Sequence, residues 1–290
     1  MFITCDFNYI FMSIKIAFQG ECGAYSEEAL IKFCKLNNIN FETKSVYSFR
    51  NLFDEIISGC GYGMVPIENS NAGSVVANYD LFVEHCDEVE IVGEFKLPVN
   101  HNLLVKHGTE LSDIKKVYSH PQALSQCSKF LEKNGIEAVS FGDTAGAAKF
   151  VSESCDRSIA CLSSSLCSLI YGLSVLSDDV KNADDNTTRF FLVKRKGLDF
   201  SFKLSKSNKS TIFFRTKHFT GALYKCLGAF ATNGFNLTKI ESRPSTLKKF
   251  DYVFFIDVES NLIGNGAEKC LEELSFFAKD VKIGRYYSEE

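Results

Sequence analysis

The chain has no apolar run approaching the ~18 residues that a membrane-crossing helix needs. No Lys or Arg precedes Lys15, and the only apolar stretch before it is the short Ile10-Phe11-Met12. A secretory signal needs a basic start and a longer apolar core, and a transit peptide needs arginines, so neither is expected. Met12 is an alternative start, with the preceding residues as a disordered extension. No long run of one charge occurs, and the net charge is −4 over 290 residues. Nucleic acid is therefore not an expected partner, and neither is a membrane. Eleven cysteines are present, yet no two have the C-x-x-C spacing. Cys155, Cys161 and Cys167 recur every six residues, which matches no zinc pattern. Reduced, mostly buried thiols in a cytoplasmic protein are the expectation, with no metal and no cofactor.

What remains is an ordinary globular composition, 45% hydrophobic and 23% charged. The length allows two domains. Short apolar runs alternate with helical patterns through the first 193 residues. Strands are expected at 14–18, 41–46 and 62–66, the last ending at Pro66, with helices at 26–36, 48–58 and 75–85. Ser26 is the expected cap of the first helix. A second series places strands at 116–118, 137–141, 158–161 and 173–176, and helices at 122–134, 144–153 and 163–171. Two α/β series imply two lobes with a cleft between them, where a small ligand binds by default. Residues 194–209 hold six basic side chains and several serines and read as a solvated linker. A third unit at 210–286 has the order βαββαβ, which is ferredoxin-like. Units of that size pair to cover their sheets, so a dimer is expected.

Polar turns at the strand ends supply the candidate chemistry. Gly20-Glu21-Cys22-Gly23-Ala24-Tyr25-Ser26 either presents backbone N–H groups to an anion or makes a tight turn. It lacks the third glycine of a dinucleotide fingerprint. Pro66-Ile67-Glu68-Asn69-Ser70 ends a strand with polar side chains facing a crevice, or makes a solvated turn. Ser119-His120-Pro121-Gln122 starts a helix with Ser119 at the cap, and Gln122 and Gln126 share a helical face. His120 invites a general-base role, but no acidic partner is visible, so it reads first as a helix-start residue. Asp143-Thr144-Ala145-Gly146 is a helix cap whose N–H groups a ligand could share. Asn186-Thr187-Thr188-Arg189-Phe190-Phe191 sets a hydroxyl beside a guanidinium before a buried strand, and a guanidinium holds a carboxylate in a bidentate fork. Glu241 and Arg243, two apart on one side of a strand, either hold the two ends of an amino acid or form a surface ion pair.

Taken in order and spacing, these motifs resemble the prephenate/arogenate dehydratase family with a C-terminal ACT domain. The resemblance runs from Ile14 to Tyr286 and is most specific at Pro66–Ser70, Asn78-Tyr79-Asp80-Leu81, Ser119–Leu124, Thr188-Arg189-Phe190 and Glu241-Ser242-Arg243-Pro244. Asp143–Ala148 and Leu237–Ile240 resemble the plant arogenate branch, whereas Cys22 and Ala24 depart from the usual first turn. It implies a two-lobed, periplasmic-binding-protein-like catalytic domain at 14–193 and an ACT regulatory domain at 210–286. The implied reaction is decarboxylating dehydration of prephenate to phenylpyruvate without a cofactor. By resemblance Thr188 is the catalytic hydroxyl, Arg189 a carboxylate anchor and Glu68 a potential proton donor. Asn69, Ser70, Ser119, Gln126, Thr144 and Phe190 would contact the substrate. L-Phenylalanine would bind at an ACT dimer interface through Gly221, Ala222, Leu223, Asn236, Leu237, Glu241, Ser242, Arg243 and Pro244 and lower activity. The assembly would be a dimer or tetramer. No helical segment long enough for a fused chorismate mutase precedes Ile14. The alternatives are arogenate as substrate, giving phenylalanine directly, and a non-enzymatic amino-acid sensor of the same architecture.

Overall fold

The computed structural model describes residues 13–183, 185–199, 208–245 and 251–288. The Met12 start and the 200–207 part of the expected linker lie outside the described residues.

The first lobe is built on parallel strands β1 (Ile14–Gln19), β2 (Phe41–Val46) and β3 (Tyr62–Asn69), joined by helices α1 (Tyr25–Leu36) and α2 (Phe49–Ser58). Ser48 caps α2 by accepting from the Asn51 N–H. β3 runs three residues past Pro66, where the sequence reading ends it. The proline is tolerated because the pairing register shifts there, skipping Ile67, so its missing N–H falls at a bulge. A two-residue strand β4 (Gly73–Ser74) folds back on the end of β3, and α3 (Val76–Glu84) follows.

Strand β5 (Val89–Pro98), absent from the sequence reading, leads out of this lobe. The second lobe then comprises β6 (Asn102–Val105), β7 (Lys116–Ser119), α4 (Pro121–Gln126), α5 (Ser128–Lys133), β8 (Glu137–Ser140), α6 (Thr144–Glu153), β9 (Ile159–Ser163), α7 (Ser165–Tyr171) and β10 (Ser174–Ser177). Its sheet has the order β10-β6-β9-β7-β8. The single helix expected at 122–134 is split at Cys127 because Asn182 inserts its polar groups. The Asn182 N–H donates to the Gln126 carbonyl at 2.7 Å, and its Oδ1 accepts from the Lys129 N–H at 3.1 Å. β11 (Thr187–Arg195) returns to the first lobe and lies antiparallel between β3 and β5. It continues two residues into the expected linker.

The C-terminal unit contains β12 (Lys209–Thr216), α8 (Ala222–Thr232), β13 (Leu237–Pro244), β14 (Tyr252–Val258), α9 (Asn265–Phe277) and β15 (Ala278–Ser288). Its antiparallel sheet order β13-β14-β12-β15 is the ferredoxin-like arrangement expected from the βαββαβ pattern. The end of β15 pairs with β5 at Tyr287 and Ser288, so this sheet is continuous with that of the first lobe.

Two apolar layers sandwich β11. Phe190 packs with Ile16, Phe18, Leu30 and Phe33 under α1. Phe191 packs on the other face with Phe53, Phe82 and Tyr286, toward α2, α3 and the C-terminal unit. Side chains alternate across a strand, so these two phenylalanines fix which way their polar neighbours point. The described cysteines are all free, and Cys34, Cys127, Cys161, Cys167, Cys226 and Cys270 are buried.

Candidate active site

Between the two lobes lies a cavity of about 250 Å³. The first lobe lines it with the end of β1, the start of α1, Asn69 and Thr188, and the second with the starts of α4 and α6. β3 and β11 pair antiparallel with Thr188 directly opposite Asn69, which puts both side chains on the face that meets the cavity.

The orientation of Asn69 is set by the loop after it. Its Oδ1 accepts from the backbone N–H groups of Asn71 at 3.1 Å and Ala72 at 3.0 Å. Its Nδ2 must therefore face the other way, where it donates to Thr188 Oγ1 at 2.9 Å and Asn186 Oδ1 at 2.7 Å. With Oδ1 engaged, Asn186 Nδ2 donates to Gln126 Oε1 at 3.0 Å, and His101 Nε2 meets the same oxygen at 2.8 Å. His101 Nδ1 is 2.8 Å from the Tyr25 hydroxyl. The chain Asn69–Asn186–Gln126–His101–Tyr25 thus joins both lobes around the cavity. Burial pushes the His101 imidazole below the usual histidine range, against the Gln126 bond and the nearby Asp179. Burial also raises the Tyr25 phenol well above its ordinary value, so it keeps its proton.

Thr188 Oγ1 accepts from Asn69, and among the described residues its own proton has no acceptor. That proton is free to point at a bound molecule. Gln126 and Thr144, two of the expected substrate contacts, line the cavity, and so does Gln122, which the sequence reading did not assign to a site. His120, not Ser119, caps α4, its Nδ1 accepting from the Gln122 N–H at 3.3 Å. Asp143 caps α6 through the Gly146 N–H at 2.7 Å.

Several expected contacts are absent from the cavity. Arg189 and Glu68 face away from it because each follows or precedes a cavity residue by one position on a strand. Arg189 Nη2 reaches Asp257 of β14 at 2.5 Å, its Nε lies 3.5 Å from Glu94 and its Nη1 3.8 Å from Glu68, and the guanidinium lies over the Phe191 ring. Glu68 accepts from Lys239 Nζ of β13 at 2.7 Å. Phe190 lies in the core beneath the cavity. Ser119 is fully buried and donates to the Leu162 carbonyl at 2.7 Å. Ser70 is exposed and not among the residues that line the cavity, donating to the Asp185 carbonyl and accepting from the Thr187 N–H.

The first turn is a brace between lobes. Gly23 donates its N–H to Glu27 at 2.6 Å, so that group is taken by a side chain of the protein itself. Its carbonyl accepts from Ser164 at the start of α7 at 2.7 Å. Ser26 is not the cap of α1; that position falls to Ala24, which has no side-chain oxygen to offer. Tyr25, His101 and Asn186 went unnoticed as site residues in the sequence. Asn186 adjoins the Thr188 motif, but His101 sits in the crossing segment between lobes and belongs to no motif.

The expected effector residues divide. Gly221 caps α8 in a left-handed conformation with φ 76°, followed by buried Ala222 and half-buried Leu223. Asn236 pairs with Glu259 at 2.6 Å, and Leu237 packs on the core of the C-terminal unit. Glu241 accepts from Ser74 Oγ at 2.6 Å and Arg243 grips Asp80 of α3 at 2.6 Å, so this charge pair is engaged by the first lobe. Ser242 and Pro244 point to solvent.

A sequence model described as prephenate dehydratase matches residues 16–198. The chain is 36% identical to an arogenate dehydratase/prephenate dehydratase of Arabidopsis thaliana, over 93% of this chain and 71% of that one. Among solved structures it is similar to GqqA, described as a novel type of quorum quenching acylase, with TM-score 0.82 and 32% identity over 95% of this chain and 98% of that one. It is equally similar, TM-score 0.82 and 29% identity, to the prephenate dehydratase of Arthrobacter aurescens in complex with L-Phe, over 94% of this chain and 89% of that one. The cavity between the lobes therefore sits in a chain that belongs to the prephenate dehydratase family.

Proposed function

We propose that the chain is a prephenate dehydratase and that the interlobe cavity is its active site. The reaction takes up one proton: prephenate dianion and a proton give phenylpyruvate, carbon dioxide and water. The bond from the ring to its carboxylate breaks, its electron pair becomes part of the aromatic ring, and the C4–O bond breaks as hydroxide leaves. Departing hydroxide is the point where charge grows, so a hydrogen bond donated there acts mainly on the transition state. Thr188 supplies that donor. Asn69, locked by two backbone N–H groups, occupies the threonine lone pair and leaves the proton for the leaving oxygen. This one arrangement carries the reading. A threonine is too weak an acid to give up its proton outright near neutral pH, so Thr188 keeps its proton and the one that turns the leaving hydroxide into water comes from solvent.

We also propose that the C-terminal unit is an ACT-type regulatory domain that binds L-phenylalanine in a dimer or tetramer. The L-Phe complex of the Arthrobacter relative supports the ligand. Lys239, Glu241 and Arg243 of β13 touch Glu68, Ser74 and Asp80, which flank the loop holding Asn69, and this supports the coupling. Purified protein assayed with prephenate and with arogenate side by side is the test. Phenylpyruvate formation is expected. Turnover of arogenate alone moves the assignment to that substrate, and turnover of neither overturns it.

A further inference from the structure

A dianionic substrate poses an electrostatic problem in this cavity. Among the described residues that line it there is no lysine or arginine, since Arg189 is turned toward Asp257. The cavity's candidates for positive charge are its two histidines. His120 uses Nδ1 as the acceptor that caps α4, so a proton there would remove the cap. His101 is different, because both of its ring nitrogens face oxygen atoms.

The amide chain settles the first proton of His101. Backbone donors fix Asn69, Asn69 fixes Asn186, and Asn186 fixes Gln126 with its oxygen toward His101. An amide oxygen only accepts, so Nε2 carries a hydrogen. Nδ1 then has two consistent states, because the Tyr25 hydroxyl lies 2.8 Å from both His101 Nδ1 and the Asn100 carbonyl. With neutral imidazole the phenol donates to Nδ1. With imidazolium, Nδ1–H donates to the phenol oxygen and the phenol donates to Asn100. Every partner is satisfied either way, and one hydroxyl rotation separates the two.

We propose that His101 takes a proton from solvent when the substrate dianion enters, and so supplies the cavity's compensating positive charge. The inference rests on the dehydratase reading of this cavity. The groups around the pair fit it. Tyr25 and Glu28 come from α1, and Gln126 and Cys127 from the junction of α4 and α5. Asp179 and Lys181 come from the segment after β10, and Cys167 from α7. Asp179 favours the imidazolium and Lys181 opposes it, but Lys181 is itself bound to Asp179 and to Asn100 Oδ1, both at 2.7 Å. Burial disfavours the charged form of His101 and holds its imidazole below the ordinary value. A second negative charge at contact distance favours the charged form.

The test uses Thr188→Ala, which should bind prephenate with little turnover. Calorimetry in two buffers of different ionisation enthalpy reads the protons taken up on binding, and the imidazole resonance of His101 reads its charge. The expected result is uptake approaching one proton at pH 7–8, with Kd rising up to about tenfold per pH unit above the free-state pKa of His101. A further His101→Gln change should abolish the uptake and flatten that profile. Tyr25→Phe should lessen it by removing the acceptor for Nδ1–H. Prephenate bound with no proton uptake and a neutral His101 resonance overturns the proposal, whether or not the His101 variant folds. Absence of wild-type turnover overturns the dehydratase reading and this inference together.

Discussion

Arg189 and Asp257 meet guanidinium to carboxylate at 2.5 Å, one from the strand that carries Thr188 and the other from the C-terminal unit. Both side chains are almost fully enclosed, at 13% and 4% exposure. Removing one partner strands a buried charge, so Asp257→Asn should cost about 3–5 kcal/mol, read as a shift in the urea midpoint. Because Thr188 precedes Arg189 on β11, kcat should fall with stability. Arg189→Met combined with Asp257→Leu removes both charges and should recover much of the loss while KM stays near wild type. A large rise of KM in that double variant would restore Arg189 to the role of substrate anchor.

The same cluster sets an acid limit. Burial raises the Glu94 carboxyl, but Arg189, Lys209 and Ser288 together outweigh it and hold the net value below the ordinary 4.5. A carboxylate depressed in the folded state contributes stability that is present above its unfolded pKa and lost as pH falls through the folded one. Stability should therefore decline as pH drops below about 4.5, and Glu94→Gln should have a shallower decline from a lower plateau. Equal acid slopes for the two proteins would contradict this.

For Thr188, replacement by Ala should lower kcat by about 10²–10³, the usual cost of losing one donor aimed at a developing oxyanion. The dissociation constant for prephenate should change only a few-fold. Thr188→Ser keeps the hydroxyl and should retain most of the rate. If Thr188→Ala turns over at the wild-type rate, another group assists the leaving hydroxide.

Gly23 has φ +91°, and a Cβ there would come within 2.5 Å of Cys167 Sγ. Gly23→Ala should cost about 1–3 kcal/mol and weaken substrate binding, since this turn braces α1 against α7. Adding Cys167→Ala should relieve the clash but not the backbone strain. Thermal melts of the two variants separate these contributions, and an unchanged melting temperature for Gly23→Ala would refute the brace.

Saturating L-phenylalanine should lower turnover. Arg243→Ala breaks the contact to Asp80 and should change the inhibitor concentration at half effect by roughly 5- to 150-fold, the usual range of allosteric coupling. Activity that ignores L-phenylalanine in both proteins would remove the regulatory assignment.

The lobes and the βαββαβ unit were legible because strand ends and helix starts leave marks in sequence, whereas the cavity-facing Asn69, Gln126, Thr144 and Thr188 were named through the resemblance of their motifs to the family. Neighbours in those motifs were misplaced for a single reason. The stretch from Thr187 reads as a loop delivering Thr188 and Arg189 together, whereas it is already strand, and alternation sends the two side chains to opposite faces. Glu68 and Asn69 divide in the same way. β5 was missed because Glu90, Gly93 and Lys96 dilute its apolar pattern, and its pairing with β11 is a tertiary fact. His101 was invisible because its importance comes from residues 76 positions before it and 25 after it.

The junction of β15 with β5 makes the C-terminal unit a cover for the edge of the first lobe's sheet. Deleting everything after residue 198 would bare one side of β5 along with the faces of Phe82, Phe191 and Tyr79. Such a fragment would expose unpaired amides and aromatic surface, an invitation to stack with copies of itself. A minimal catalytic version of this enzyme would therefore need charged or proline substitutions along β5 before it could stay in solution.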